Sequence, residues 1–590
     1  MRLLFIYVKN YKCPKNAQMN FSDSIRFDFN TETLSLTKTH ENNQNLFPIK
    51  SNSSVKNISA IVGSNGSGKT SVCSLLYDVF ISGNSQIEHI FIYESGGRFI
   101  IHEHLAANQE IQNVTGLTLL KYDAHKSKQN IIYYSPFYMT TNSMGTCKAG
   151  TDIFCNISTS FLLENDITYY ANERTGVDYP YQVKQTVANS ILDMSRCTTF
   201  LKTAQKIKKM SILNITVPKE LIFSLDLNTL RSFESELKDN EDVNAVYNEL
   251  FELTNNTLQS DYVSNNPKKQ FLRNFMLYLF YNFARAQLLN NHFGIAEDIR
   301  SEYLARIKYA LENTTPTDGN EVLRTVFKNF SSSNNFTDTL IYPISKEKTN
   351  SLNRIIDYLY LLDEKYFTKD ILTFDIKGDS AIINEFYDLY QNSKSLTEYG
   401  NFTFSPSPSS GEMSEILLYS RIFEQLTRME ESSNILLFLD EAETTLHPRL
   451  QQHIVQNLIV FFDNFFVDRN FKIQIIFATH SPILLSDLPV TNIVFLKKDS
   501  GSEITTVVTR DRKQTFASNI YQLYQDSFFL DDTLIGDFAK NQINQVIDEL
   551  NKNENYEATL EKVSVSDRSK YIASLVGEPL LRKLIQERIK

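Results

Sequence analysis

Gly63-Ser64-Asn65-Gly66-Ser67-Gly68-Lys69-Thr70 decides how the chain is read. It directly follows the apolar run Ile58-Ser59-Ala60-Ile61-Val62, which suits a buried strand. It directly precedes Ser71-Val72-Cys73-Ser74-Leu75-Leu76, which suits a helix. Glycines here let successive backbone N–H groups converge on phosphate oxygens without a Cβ in the way, and a helix N-terminus adds positive potential. The spelling GxxxxGK[ST] between strand and helix therefore predicts a phosphate-binding loop made by Gly63, Ser64, Asn65, Gly66, Ser67, Gly68, Lys69, Thr70 and Ser71. Lys69 is expected to reach the terminal phosphates of a nucleotide and Thr70 to offer its hydroxyl to Mg²⁺.

The rest of the composition sharpens this. Only 18 glycines occur in 590 residues, well below the ~7% of an average protein. Three of them fall within the six positions 63–68, which is hard to assign to a loose linker. At roughly 150 residues per domain the length implies several units. The net charge of −10 excludes a generally basic nucleic-acid-coating protein, although a local basic face stays open. Five scattered cysteines without a CxxC fit reduced thiols in a cytoplasmic protein. The N-terminal MRLLFIYVKNYK reads as a strand, and the most apolar interior run, Phe275–Phe283, is broken by Asn282 and too short to span a membrane.

Four stretches are expected along the chain. Residues 1–145 alternate strands with the phosphate loop and include a hairpin, HIFIY and RFIIH around a Glu94–Gly97 turn. Residues 146–395 show apolar residues at helical spacing, as in Phe271–Leu289 and Leu352–Tyr366, and predict a helical insertion. Residues 396–510 return to strand-helix alternation with successive parallel units and end in a second hairpin around Asp499–Ser502. Residues 511–590 are expected to be helical, closing on an amphipathic helix with Leu580, Leu581, Leu584 and Ile585.

A second element completes the chemistry. The apolar strand Ile435-Leu436-Leu437-Phe438-Leu439 ends in Asp440-Glu441. That places Asp440 at the carboxyl edge of the sheet, where it can help hold Mg²⁺. Glu441 then stands where it can orient or deprotonate an attacking water.

Ala478-Thr479-His480 follows the strand KIQIIF, 40 residues after Asp440, and resembles the switch histidine of ABC-type ATPases. Pro408-Ser409-Ser410-Gly411-Glu412 resembles the signature motif of that superfamily. The SSGE ending, the pattern DEAETTLHP from Asp440 to Pro448, and Thr479-His480-Ser481-Pro482 are similar to ATPase heads of the SMC, recombination-repair and OLD group. The stretch Thr515–Ile543 resembles the C-terminal part of Septu ATPases of bacterial anti-phage defence, including those attached to retrons. The signature begins with Pro408 where that superfamily has Leu.

The resemblance implies an α/β fold. It would be an ABC-type P-loop ATPase head of two lobes, a mixed sheet plus an antiparallel β subdomain, interrupted by the insertion. It implies ATP and Mg²⁺ as cofactors, with Thr70 and Asp440 on the metal and Glu441 and His480 as catalytic residues. It also implies that Ser409 and Gly411 bind the γ-phosphate of a nucleotide held by a second copy, with Ser410 and Glu412 beside them in the nucleotide-binding signature. The expected partners are thus the chain itself, as an ATP-sandwiched dimer or higher oligomer, and an HNH-type nuclease subunit. Nucleic acid, either retron RNA or DNA or phage DNA, is a further expected partner, and a membrane is not.

No nuclease motif is found in the chain itself: neither a Toprim acid pattern between 490 and 590 nor an HNH unit is spelled, and His102 and His104 lack an obvious third ligand. Two competing readings remain. One is a DNA repair or recombination ATPase that binds DNA directly through Lys202, Lys206, Lys208 and Lys209, or through Lys268, Lys269 and Arg273. The other is a transporter motor, disfavoured by the SSGE ending.

Overall fold

The computed structural model describes residues 2–171, 185–206, 215–225, 266–276, 324, 346–392, 400–498, 504–508, 513–527, 536–552 and 564–589. Short breaks fall at 23, 42–45, 49, 51, 82–85, 107–108, 124–128, 138–143, 150–151 and 369. The Asp499–Ser502 turn, Lys208, Lys209 and part of the Thr515–Ile543 stretch lie outside the described residues.

An eight-stranded sheet organises the molecule. Its order is Cys147–Ala149, Asp152–Asn156, Asn130–Tyr134, Asn434–Asp440, Lys472–Thr479, Val55–Gly63, Ile493–Lys498 and Thr505–Val508. The six inner strands run parallel and the two edge strands antiparallel. Parallel strands covered on both faces need apolar residues at every position, which is why Ile435–Leu439 and Ile473–Ala478 read as nearly unbroken apolar runs. Alternation then sorts them. Ile435, Leu437 and Leu439 enter one core and Leu436 and Phe438 the other.

One face carries the helix Lys69–Phe80 and a β subdomain that is antiparallel except for its last strand pair. The latter is a five-stranded sheet in the order Lys15–Asn20, Arg2–Asn10, His89–Ser95, Arg98–His104 and Leu119–Lys121. The first hairpin is where its sequence put it: Ser95 pairs with Arg98 around Gly96 and Gly97, at φ of 58° and 76°. A smaller sheet of Ile25–Asn30, Ser35–Glu41 and Gln112–Asn113 covers its outer side through Phe27, Phe29 and Leu36. The opposite face of the central sheet packs against the helices Gln185–Lys206, Ser410–Arg428 and Ile454–Phe465.

Buried side chains tie the subdomain to the central sheet, among them Asn57 and Ser59, which donate to the Phe21 carbonyl at 2.6 and 2.9 Å. Gln474, buried within the strand Lys472–Thr479, accepts from the Leu3 N–H at 2.7 Å and donates to the Leu3 carbonyl at 2.9 Å. Replacing Gln474 with Leu leaves both backbone groups buried and unpaired, a cost of about 2–4 kcal/mol. Hydrogen exchange at the Leu3–Val8 amides should accelerate accordingly; unchanged protection there would refute the tie.

The helical insertion expected over 146–395 holds strands as well as helices among its described residues. Cys147–Ala149 and Asp152–Asn156 belong to the central sheet. Further on, Phe367–Thr368, Ile371–Asp375, Glu220–Leu225 and Gly400–Ser405 form a four-stranded antiparallel sheet beside the helices Lys346–Leu361 and Ser380–Asn392. These strands are only two to six residues long and pair across the insertion, so the helical periodicity around them dominates the sequence signal. Gly400 is needed there: a Cβ would stand 2.3 Å from the Phe223 ring.

The C-terminal helices Asp537–Lys552, Asp567–Leu575 and Pro579–Arg588 close a small core of Val546, Leu550, Val565, Ala573, Val576 and Ile585. The last helix thus docks on its own neighbours through Leu581 and Ile585 and leaves Leu580 and Leu584 exposed. No helix among the described residues is long and apolar enough to cross a membrane.

Candidate functional site

The strand Val55–Gly63 delivers the glycine loop to the carboxyl edge of the sheet, between Lys472–Thr479 and Ile493–Lys498. Gly63 must be glycine because a Cβ would lie 2.4 Å from the Leu496 carbonyl oxygen. Gly66 and Gly68 take φ of 74° and 88°, the left-handed region that other residues enter at a cost. Ser64, Asn65 and Gly66 are exposed, whereas Ser67 is buried with its Oγ unpartnered. Gly68 caps the helix Lys69–Phe80, whose first turn holds no acidic residue to compete with an anion for its positive end. Ser71 lies half-buried on that turn.

Two neighbouring strand ends bring the acids and the histidine. Asn434–Asp440 is separated from the glycine-loop strand by Lys472–Thr479, so Asp440 reaches across it. Thr70 Oγ1 donates to Asp440 Oδ2 at 2.7 Å, and the Tyr133 hydroxyl donates to the same oxygen at 2.9 Å. Burial pushes the Asp440 carboxyl up, with the Glu441 charge adding to it, while both hydroxyl hydrogen bonds and Lys69 oppose that shift. Its other oxygen, Oδ1, is buried and has no hydrogen-bond partner.

Lys69 Nζ donates to the Gly63 carbonyl at 3.2 Å and stands 2.6 Å from His480 Nε2. Burial lowers the Lys69 ammonium, and Glu441, Asp440 and Glu443 counteract this. Burial and then the Lys69 charge lower His480, which favours a neutral ring whose Nε2 accepts from the ammonium. Glu441 Oε1 lies 3.5 Å from the same nitrogen. Glu441 has φ of 52°, an uncommon conformation for a side-chain-bearing residue, and its N–H donates to the Ala478 carbonyl at 2.8 Å.

The signature turn is built differently. Ser409 caps the helix Ser410–Arg428 in a reciprocal box with Glu412. Glu412 Oε2 accepts from the Ser409 N–H at 2.9 Å and from the Ser409 hydroxyl at 2.8 Å, while Oε1 accepts from the Thr216 N–H at 2.8 Å. These contacts, led by the one with Thr216, hold the Glu412 carboxyl down at about 2. Ser409 and Ser410 are exposed, and Gly411 is buried against the turn that follows Glu443. A Cβ on Gly411 would meet Leu450 Cδ1 at 3.2 Å.

The structure therefore brings Lys69, Thr70, Asp440, Glu441 and His480 into one contact set. Among the described residues no hydrogen bond or ion pair joins Ser409, Ser410, Gly411 or Glu412 to it. Within the single chain Glu412 is taken up by capping and by Thr216. Two residues that motif reading passed over belong to the site. Tyr133 carries no motif at all. Glu443 is the third acid of Asp440-Glu441-Ala442-Glu443 and is visible in the spelling. Its carboxyl is 1% exposed and receives the Thr479 hydroxyl, and burial pushes it up to about 7.

The third histidine near His102 and His104 is His89, whose Nε2 lies 3.1 Å from His102 Nδ1. Burial lowers both His89 and His102 to about 4, and among the described residues no His, Cys, Asp and Glu cluster suits a metal ion. These histidines pack with Phe80, Phe91 and Tyr122.

A family model described as an AAA ATPase domain matches residues 1–485, a span that includes every residue of the contact set and the signature turn. No curated protein matches the chain.

Proposed function

The chain belongs to the AAA ATPase domain family, a P-loop ATPase of the SMC and OLD kind, and from that premise we propose that it closes as a dimer around ATP and uses hydrolysis to control a partner nuclease in anti-phage defence. The observation that carries the ATPase reading is the contact set itself. A cationic Lys69, a hydroxyl on Thr70, two carboxylates on Asp440 and Glu441 and the neutral His480 meet at a glycine loop opening a helix.

Mg²⁺ suits the residues present. Thr70 Oγ1 and Asp440 are hard oxygen donors, and the unpartnered buried Oδ1 of Asp440 is the kind of atom a cation satisfies. The ion, when bound, would supply charge neutralisation at phosphate oxygens. The chain's own residues do the rest. Lys69 exchanges Gly63 and His480 for phosphate oxygens, which leaves His480 able to sense the same phosphate. Glu441 orients a water and accepts its proton. Ser409 and Gly411 of a second copy cover the nucleotide from the other side, so that ATP favours closure and its loss favours opening.

The cytoplasm is the compartment we infer, since Cys13, Cys73 and Cys197 are free thiols. A nuclease partner of HNH type rests on the resemblance of the C-terminal stretch to Septu ATPases. Direct DNA binding has one less contact at its disposal, because Lys268 donates to the Tyr360 and Leu362 carbonyls at 2.7 and 2.6 Å. The defence reading is tested by expressing the chain with its neighbouring gene product and challenging the cells with phage. Protection that requires both proteins and an intact Lys69 supports it. Protection that is absent, together with tight salt-sensitive DNA binding by the lone chain, would transfer the assignment to repair.

A further inference from the structure

The turn after Glu441 and the turn that carries His480 are joined by a closed ring of hydrogen bonds. The Thr479 hydroxyl donates to Glu443 Oε1 and accepts from the Ser481 N–H at 2.9 Å. Ser481 Oγ donates to Gln451 Oε1 at 2.8 Å. Gln451 Nε2 then returns to the Glu443 carbonyl at 3.1 Å and also holds the Leu446 carbonyl at 3.0 Å. Two members of the ring, Thr479 and Ser481, flank His480 on either side, and Glu443 follows Glu441 by two residues. Glu443, Thr479 and Ser481 are all buried.

An isolated acid in such a place is costly, because a buried carboxyl needs hydrogen bonds to offset its lost hydration. The ring supplies a donor to one of its oxygens, and in exchange it fixes the rotamer of Thr479 and with it the direction of the Ser481 N–H. The Leu446–Gln451 turn that closes the ring is also where Gly411 packs, within 3.2 Å of Leu450 Cδ1 for an added Cβ. The ring thus lies between the Glu441–His480 pair, 3.5 Å apart, and the helix that the signature turn opens.

We propose that Glu443 is a positioning residue of the ATP site, holding the His480 turn at a fixed offset from Glu441 through Thr479, Ser481 and Gln451. Its role is exerted through these neighbours. The proposal rests on the ATPase reading only for what turnover means. Misplacing reacting groups by about 1 Å costs on the order of 10²-fold in rate, so Glu443→Ala should lower kcat by roughly 10- to 100-fold. ATP affinity should stay within about twofold, since the phosphate loop is unaltered. Glu443→Gln keeps an acceptor for the Thr479 hydroxyl and should recover most of the rate. Gln451→Ala should show a smaller loss of the same kind, and the double variant Glu443→Ala/Gln451→Ala should be no slower than Glu443→Ala alone, because both break one ring.

Equal losses for Glu443→Ala and Glu443→Gln, additive losses in the double variant, or a wild-type kcat in Glu443→Ala would each overturn the proposal. A second readout stands apart from turnover. The His480 ring resonance, identified by its disappearance in His480→Gln, should move in Glu443→Ala and in Gln451→Ala without nucleotide present, and return in Glu443→Gln. If the wild-type protein hydrolyses no ATP, the ATPase reading fails while this resonance still decides the positioning role: an unmoved resonance refutes it. Should Glu443→Ala not fold, Gln451→Ala carries both readouts.

Discussion

Glu441→Gln should reduce ATP turnover by about 10²–10⁴-fold while leaving ATP bound, the range expected when a general base is removed. The amide is nearly isosteric with the carboxylate, so the φ of 52° at position 441 and its N–H bond to the Ala478 carbonyl should survive. What disappears is the proton acceptor beside His480. With hydrolysis blocked and binding intact, ATP should hold two copies together, and light scattering should report twice the monomer mass in Mg-ATP. Turnover at the wild-type rate would remove Glu441 from the base role.

Lys69→Ala should have the opposite signature, loss of binding and not of chemistry alone. The buried ammonium is held by a carbonyl and a neutral imidazole, partners it can leave when phosphate arrives. Truncating one side of a buried charge pair costs about 2–5 kcal/mol, which is roughly 30- to 4,000-fold in Kd. The nucleotide-free protein should keep its melting temperature within a few degrees, because removing a desolvated cation also removes its burial penalty. Isothermal titration with ATP measures the first quantity and differential scanning fluorimetry the second. Normal ATP affinity in this variant would refute the phosphate-loop assignment.

How much of this was legible in the sequence follows from the range of the interactions. The glycine loop is local: its strand, turn and helix are contiguous, and glycine at Gly66 and Gly68 is demanded by φ values within one turn, while Gly63 is demanded by the Leu496 carbonyl of the neighbouring strand. Asp440, Glu441 and His480 could be placed because each sits at the end of an apolar strand, and parallel strands bring such ends to one edge. Which strand lies between which was not legible, since the insertion of Lys472–Thr479 between the other two is a matter of topology. Tyr133 reaches Asp440 across 307 positions, and nothing near Tyr133 announces it.

The small insertion sheet was hidden for a related reason: Glu220–Leu225 pairs with Ile371–Asp375 and Gly400–Ser405, far beyond any window of periodicity. Ser409 illustrates a different limit. Ser-x-x-Glu ahead of an apolar helix is a capping box as well as part of a signature motif, and within one chain the capping role is what the local geometry expresses. Its proposed second role, at the nucleotide of another chain, requires a second copy.

That requirement is also the central claim, and mixing two inactive variants tests it most directly. Lys69→Ala leaves an intact signature turn on a chain with a dead phosphate loop; Ser409→Arg does the reverse. In a mixed dimer one site joins the intact loop of one chain to the intact turn of the other. An equal mixture should therefore regain ATP turnover, up to roughly a quarter of the wild-type rate for random pairing into symmetric dimers. A mixture as inactive as its two components, with ATP still bound by Ser409→Arg, would contradict a site shared between copies.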